Sequence, residues 1–162
     1  MELSYGEKFL PWSQNLLSLF TERNCSLSLL QGAPGTGKTT FLRWLIANAQ
    51  TEADFYFVPA TCIGLIANHT MNAFWIKECQ HSTKPKVLII EDAEQILMKR
   101  SSDNGQWVGN LLNITDGILS DVLRFHLVCT VNSPLSDLDP ALLRPGRLSA
   151  HWVFGKLSPK AA

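Results

Sequence analysis

The chain has 162 residues, which is enough for one ordinary domain and too short for two. Its 14 basic and 14 acidic side chains balance to a net charge of zero, which excludes a polybasic nucleic-acid arm or an acidic tail as the main feature. A hydrophobic fraction of 46% excludes intrinsic disorder, and a charged fraction of 17%, below the usual figure of about 25%, indicates a partner surface or a missing piece of the same protein.

No targeting or anchoring segment is visible. The start of the chain lacks the basic and then apolar pattern of a signal peptide, and no apolar run approaches the roughly 20 residues that cross a bilayer. Cys25, Cys62, Cys79 and Cys129 match no zinc or disulfide spacing, and the histidines are scattered. We therefore expect a cytoplasmic protein with reduced thiols and no metal site built from cysteine and histidine.

Strand-like and helix-like segments alternate along the chain. The predicted strands are 26–30, 55–58, 87–90, 125–131 and 151–154. The predicted helices are 10–22, 39–50, 61–80 with a break near residue 68, 93–100, 107–119 and a short one over 140–143. Strands separated by helices indicate an α/β fold, in which a parallel sheet carries helices on both faces.

The strongest motif follows the first predicted strand and fits the phosphate-loop pattern G-x-x-x-x-G-K-[ST] in full. It comprises Gly32, Ala33, Pro34, Gly35, Thr36, Gly37, Lys38 and Thr39, and the predicted nucleotide-binding set extends to Thr40. Its glycines let backbone N–H groups converge on phosphate oxygens, and the helix beginning near Lys38 adds its positive dipole end. Lys38 supplies a cation for the β- and γ-phosphates, and the Thr39 hydroxyl can hold Mg²⁺.

Two acids end a fully apolar predicted strand. Glu91 and Asp92 follow residues 87–90, which places both carboxylates at the carboxyl edge of a buried strand, where ligands bind in open α/β sheets. One acid can hold the hydration shell of Mg²⁺, and the other can orient and polarise an attacking water. The alternative is a surface turn with ordinary acidic residues.

Two arginines flank a rigid turn late in the chain. Arg144 and Arg147 lie on either side of Pro145 and Gly146. Guanidinium groups neutralise the spread negative charge of a phosphoryl-transfer transition state. Taken alone, two such arginines are more often solvated or salt-bridged.

Together these segments resemble the AAA family of ATPases, within the AAA+ class of P-loop NTPases. Residues 111–117 resemble the L-L-x-x-x-D-G stretch of that family, residues 130–132 the end of its sensor-1 strand, and residues 139–147 its second region of homology. The resemblance runs from about residue 32 to residue 147. It implies a three-layer αβα fold around a five-stranded, mainly parallel sheet of order 5-1-4-3-2, with residues 25–157 as the ATPase core.

The resemblance also implies a cofactor set, ATP or ADP with Mg²⁺, and a role for each catalytic residue. Thr39 and Glu91 would hold the metal, and Asp92 would polarise the attacking water. Asn132 would be the sensor-1 residue that orients this water near the γ-phosphate. A turn-forming asparagine is compatible with the same position.

In the family, arginine fingers act on the ATP of a neighbouring subunit. Arg144 and Arg147 would have this role, which implies a homo-oligomeric ring, commonly a hexamer. Tyr5 lies in the N-terminal segment 1–24, which related proteins place near adenine, and it would stack on the base. The alternative is a tyrosine that only packs.

The chain departs from the family at three places. Most members end the second motif in Asp-Glu, whereas Glu91-Asp92 reverses this order, so we expect slow hydrolysis rather than none. Residues 158–162 read as the first turn of a truncated or missing helical lid, which predicts weak nucleotide affinity and poor ring formation. Residues 60–65 occupy the position of the family's pore loop and lack its aromatic-apolar-glycine triplet. The aromatic pair Phe74-Trp75 on the following predicted helix is expected in the core.

Two functions remain open from the sequence. The first is an ATPase that hydrolyses ATP with Mg²⁺, in a ring, to remodel a protein partner. The second is a nucleotide-dependent assembly or scaffold module with little hydrolysis. A small-molecule P-loop kinase does not explain residues 138–147. The client is unknown, and nothing in the sequence indicates nucleic acid or membrane.

Overall fold

The computed structural model describes residues 5–22, 25–66, 69–98, 109 and 124–155. Four sequence predictions fall on residues outside these ranges. They are the helix 107–119 apart from residue 109, the stretch 111–117, the helix break near residue 68 and the lid start at 158–162.

The described helices and strands follow the predicted order, except that no helix is described over 140–143. The helices are α1 (Phe9–Glu22), α2 (Lys38–Ala49), α3 (Ile63–Ile66), α4 (His69–His81) and α5 (Glu94–Leu97). The strands are β1 (Ser26–Gly32), β2 (Asp54–Phe57), β3 (Lys86–Ile90), β4 (Phe125–Val131) and β5 (Leu148–Phe154). Short 3₁₀ turns occupy Ala60–Cys62 and Leu135–Asp137. Each described helix falls short of the length and apolar character needed to cross a bilayer.

The five strands form one parallel sheet. Their order is β2-β3-β4-β1-β5, which is the predicted order 5-1-4-3-2 read from the other edge. Every strand pairs in parallel with its neighbours, and β1 lies between β4 and β5. The predicted α/β fold and strand order are therefore confirmed.

Helices cover both faces of this sheet. On β3, Val87 and Ile89 pack in a cluster with side chains of α1 and α2. Leu88 and Ile90 belong to a second cluster, which includes side chains of α3, α4 and α5. Successive side chains of a strand point to opposite faces, so a continuous apolar run is buried from both sides. This gives the three layers, helices, sheet and helices, that were expected.

The predicted helix 93–100 is too long. Its helical part ends at Leu97, because Met98 adopts an extended backbone (ψ 157°). Met98 instead forms an antiparallel bridge with Leu138, a residue distant in sequence. Tertiary pairing therefore overrides the local helical pattern at this point.

The predicted short helix 140–143 is wrong. Residues 140–147 form successive turns, in which the N–H of Leu142 donates to the Asp139 carbonyl at 3.0 Å. Pro145 disfavours helical geometry at the residue before it, which stops this turn from continuing as a helix.

The pair Phe74-Trp75 is divided between core and surface. Trp75 is buried, with its ring edge-on to Phe125 at 4.8 Å. Phe74 is 40% exposed and borders an apolar groove of about 250 Å³ beside β2. The expectation of a core position is correct for Trp75 and wrong for Phe74.

His126 is fully buried in β4. Its Nδ1 lies 2.8 Å from Ser26 Oγ, and its Nε2 has no hydrogen-bond partner among the described residues. Burial, with a smaller contribution from the positive charge of Arg124, lowers the pKa of His126 to about 4. The neutral imidazole is therefore the form that the fold accommodates.

This burial predicts a loss of stability in mild acid. An unfolded histidine has a pKa of about 6.5, so the unfolded chain takes up the proton first as the pH falls. The stabilisation that comes from keeping His126 neutral is complete above about pH 6.5 and is lost as the pH falls toward 4. The free energy of unfolding should therefore fall by about 2 kcal/mol between pH 7 and pH 5. Urea denaturation at these two pH values should show that His126→Gln removes this part of the pH dependence, whereas His81→Gln at an exposed position does not. Equal pH dependence in the parent and the His126 variant would contradict the assignment.

Candidate active site

Most of the predicted site residues converge at the carboxyl edge of the sheet. β1, β4 and β3 are adjacent, so the segments that follow them meet at one place. A cavity of about 580 Å³ lies there. It is lined by Pro34, Gly35, Gly37, Lys38, Thr39, Thr40, Glu91, Asp92, Thr130 and Asn132. The cavity has the size of a small-molecule site.

The loop between β1 and α2 has the backbone shape that binds anions. Gly35 and Gly37 have φ values of +78° and +94°, a region that favours glycine. A Cβ on Gly32 would lie 2.7 Å from the Phe154 carbonyl oxygen, so this position also requires glycine. Such a loop, opening directly into the N-terminus of a helix, presents N–H groups and a positive dipole end to phosphate.

The Lys38 ammonium links this loop to β4. Its Nζ donates to the Gly32 carbonyl at 2.6 Å, the Ala33 carbonyl at 3.1 Å and Asn132 Oδ1 at 2.8 Å. These three acceptors match the three N–H donors of the ammonium group. Asn132 Oδ1 is the one side-chain acceptor of the three, and because the Asn132 side chain is exposed it is the partner that can move away from the ammonium group.

The electrostatic surroundings of Lys38 are mixed. Burial lowers the pKa of its ammonium group, and nearby negative charges oppose that shift. The charges belong to Asp92, Glu94 and Glu91. The positive charge of Lys38 is therefore partly balanced by neighbouring carboxylates.

Glu91 contacts the first helical turn of α2. Its Oε1 accepts a hydrogen bond from Thr39 Oγ1 at 2.7 Å. Hydroxyl and carboxylate oxygens are ligands that Mg²⁺ accepts, usually together with phosphate oxygens. The two residues predicted to hold the metal therefore lie in contact and fit a magnesium ion.

Asp92 has a different environment from Glu91. Its φ of +50° lies in the left-handed region, which aspartate tolerates better than most residues, and its N–H donates to Thr130 Oγ1 at 2.9 Å. Its Oδ1 accepts a long hydrogen bond of 3.4 Å from Asn132 Nδ2. The side chains of Lys38, Asn132 and Asp92 thus form a connected series across the cavity.

Glu94 is not among the site residues predicted from the sequence. Its carboxylate accepts a hydrogen bond from the backbone N–H of Asn132. The sequence offered one weak signal, which is an acidic residue in the first turn of the helix that follows the two acids. No spacing rule connects it to a residue 38 positions later.

Tyr5 lies against the phosphate loop. Its hydroxyl donates to the Gly37 carbonyl at 3.1 Å, and its ring contacts Phe9 and Phe154. Burial raises the pKa of this hydroxyl. Tyr5 does not line the cavity, and its stacking on a base stays a prediction.

The two arginines lie outside the cavity of their own chain. Arg147 is half-buried, and its guanidinium donates to the Ala141 carbonyl at 2.8 Å. Arg144 is exposed on the same series of turns. The turn therefore holds Arg147 and presents Arg144 to solvent.

Known proteins are similar in sequence to most of this chain. The sequence profile of the family described as "ATPase family associated with various cellular activities (AAA)" matches residues 28–156. The "Probable mitochondrial chaperone bcs1" of Schizosaccharomyces pombe is 32% identical over 139 residues, which cover 82% of this chain and 29% of that protein. The "ATP-dependent zinc metalloprotease FtsH" of Metamycoplasma arthritidis is 33% identical over 142 residues, which cover 78% of this chain and 18% of that protein. The chain thus spans less than a third of the length of these relatives.

Proposed function

Because this chain belongs to the AAA family of ATPases, we propose that it binds ATP with Mg²⁺ in the cavity at the carboxyl edge of the sheet and hydrolyses it slowly. The observation that carries the proposal is the arrangement around this cavity, with Lys38 bound to Asn132 and Thr39 bound to Glu91. It supports a site for a triphosphate with a cation beside it.

Binding is proposed to depend on the loop and on Lys38. The loop N–H groups and the N-terminus of α2 donate hydrogen bonds to the phosphate oxygens, and the Lys38 ammonium exchanges Asn132 Oδ1 for a phosphate oxygen. Thr39 and Glu91 are the proposed magnesium ligands, and a bound Mg²⁺ would neutralise charge on the phosphate oxygens.

Hydrolysis is proposed to use Asp92 and Asn132. The Asp92 carboxylate accepts a hydrogen bond from water and orients it, and the Asn132 amide, once free of Lys38, holds the same water toward the γ-phosphate. Aspartate is one methylene shorter than glutamate, so it positions the water less closely. This supports slow turnover.

A ring is the proposed working assembly. Members of the family bind ATP and commonly oligomerise. Arg144 is exposed and outside its own cavity, which supports a role at the ATP site of a neighbouring subunit. We propose that the released energy remodels a protein partner, in a hexamer and in the cytoplasm. The relatives named as a chaperone and a protease support the part of this proposal that concerns a protein partner.

Arg144→Ala should leave ATP affinity unchanged and lower hydrolysis by at least about a hundredfold, because a finger contributes charge only in the transition state. Mixing Arg144→Ala with Lys38→Ala should restore part of the activity, since the second variant supplies the arginine and the first supplies an intact site. Phosphate release measures both effects, and Arg43→Ala, at an exposed position on α2, is the control. No recovery in the mixture would contradict action between subunits.

Two measurements test the function itself. Titration calorimetry with ATP and Mg²⁺ should detect binding, and single-turnover phosphate release, with the chain in excess over ATP, should detect slow hydrolysis. Binding without any release would favour the assembly or scaffold function, for which the short reach of Asp92 is the supporting observation. Absence of ATP and ADP binding by folded protein would exclude both functions.

A further inference from the structure

Glu94 lies behind the cavity and not in it. It is the first residue of α5, it is half-buried, and it is absent from the cavity lining. Its carboxylate accepts the hydrogen bond from the backbone N–H of Asn132. It therefore touches the main chain of a proposed catalytic residue without facing the ligand.

The peptide that Glu94 contacts is the one that needs an external partner. The pairing of β4 with β1 ends at Val131, opposite Gln31. Asn132 is the next residue, and its N–H lies beyond the sheet ladder. A charged acceptor makes a stronger hydrogen bond than a neutral one, so the Glu94 carboxylate holds this peptide firmly.

The position of Glu94 is itself fixed by β4. The N–H of Ala93 donates to the Thr130 carbonyl at 2.9 Å, immediately before α5. At the other end of α5, the Leu97 carbonyl accepts the N–H of Asp139 at 2.8 Å. Anchoring at both ends keeps the Glu94 carboxylate beside the Asn132 peptide.

The side chain of Asn132 depends on that peptide. Its amide lies between Lys38, at 2.8 Å from Oδ1, and Asp92, at 3.4 Å from Nδ2. A rotation of the main chain would move both amide atoms away from these partners. Small misplacements of an orienting group have large effects on rate.

We propose that Glu94 is a positioning residue for hydrolysis, which holds the Asn132 main chain so that the side-chain amide stays between Lys38 and Asp92. This inference rests on the proposed ATPase function. Glu94 acts through Asn132 and does not contact nucleotide, so it governs turnover more than affinity.

Two substitutions at Glu94 separate its hydrogen bond from its charge. Glu94→Ala removes the acceptor, whereas Glu94→Gln keeps an acceptor oxygen of similar reach. Single-turnover hydrolysis at saturating ATP should fall by about tenfold or more in the alanine variant and stay within about threefold in the glutamine variant. The ATP dissociation constant from calorimetry should stay within about threefold in both. Gln95→Ala, at the exposed next position of α5, should change neither quantity.

The amide proton resonance of Asn132 reports the contact without any need for activity. It should shift in Glu94→Ala relative to the parent and return toward the parent position in Glu94→Gln. Failure of the parent to bind ATP would remove the proposed function, and this resonance would still show whether the contact exists.

Three results would overturn the positioning role. One is parental hydrolysis in Glu94→Ala, whether or not the resonance shifts. Another is a fall in affinity as large as the fall in rate, which marks a general disturbance of the site. The third is an equal loss of rate in Glu94→Ala and Gln95→Ala.

Discussion

Lys38→Ala is expected to weaken ATP binding about a hundredfold, which corresponds to about 3 kcal/mol. The substitution removes the ammonium that would exchange Asn132 for a phosphate oxygen, a charge-assisted hydrogen bond. It also leaves Glu91 and Asp92, which line the cavity, beside the phosphates without a compensating cation. Calorimetry with ATP and with ADP, each with Mg²⁺, measures the change. Both nucleotides should be affected, because the lysine serves the β-phosphate as well as the γ-phosphate.

A matched control distinguishes the loss of the ammonium group at the cavity from the loss of one positive charge anywhere on the protein. Lys77→Ala removes an exposed lysine of α4 that does not line the cavity, and it should leave affinity unchanged. Because Lys38 also binds the Gly32 and Ala33 carbonyls, the thermal midpoint of each variant must be recorded on the same sample. A folded Lys38 variant that binds ATP as tightly as the parent would contradict the site assignment.

Asp92→Asn is expected to keep ATP binding and to lower hydrolysis by about a hundredfold to ten-thousandfold, the usual range for loss of a general base. Asparagine has the same size and tolerates the left-handed backbone at this position, so the substitution changes the charge with little strain. The backbone bond to Thr130 is kept. Calorimetry and single-turnover phosphate release measure binding and chemistry separately.

The control for Asp92→Asn is an acid of the same charge elsewhere. Glu52→Gln neutralises an exposed residue just after the C-terminal end of α2, which is the end of that helix away from the phosphate loop. It should hydrolyse ATP like the parent. Hydrolysis at the parental rate by Asp92→Asn would assign the water to another residue, and Glu91→Gln would then be the variant to measure.

The phosphate-loop motif could be proposed from the sequence because its physical requirements are local. Its glycines, lysine and threonine are contiguous, and each acts through the backbone shape or through its own functional group. The run 87–90 was equally informative, since continuous apolar sequence followed by two acids is compatible with a buried strand and a polar end. The strand order followed from the family resemblance and is confirmed.

Other features depended on residues far apart in the chain. The end of α5 is decided by the bridge between Met98 and Leu138, which no local pattern reveals. Lys86 immediately precedes the predicted strand 87–90, yet it is fully buried, with Nζ 2.6 Å from Asp54 Oδ2 on the neighbouring strand. In each case a long-range partner changes the local preference.

The sequence alone determined which chemistry is proposed for this protein, since the phosphate-loop motif, the two acids and the alternation of strands and helices are encoded by neighbouring residues. Only the tertiary structure decided which of these side chains contact one another. Lys38 reaches Asn132 across 94 positions, Thr39 reaches Glu91 across 52, and Glu94 reaches the Asn132 peptide across 38. The physical reason is that a parallel sheet brings the carboxyl ends of its strands together whatever their separation in sequence, so contacts at that edge depend on strand order and register.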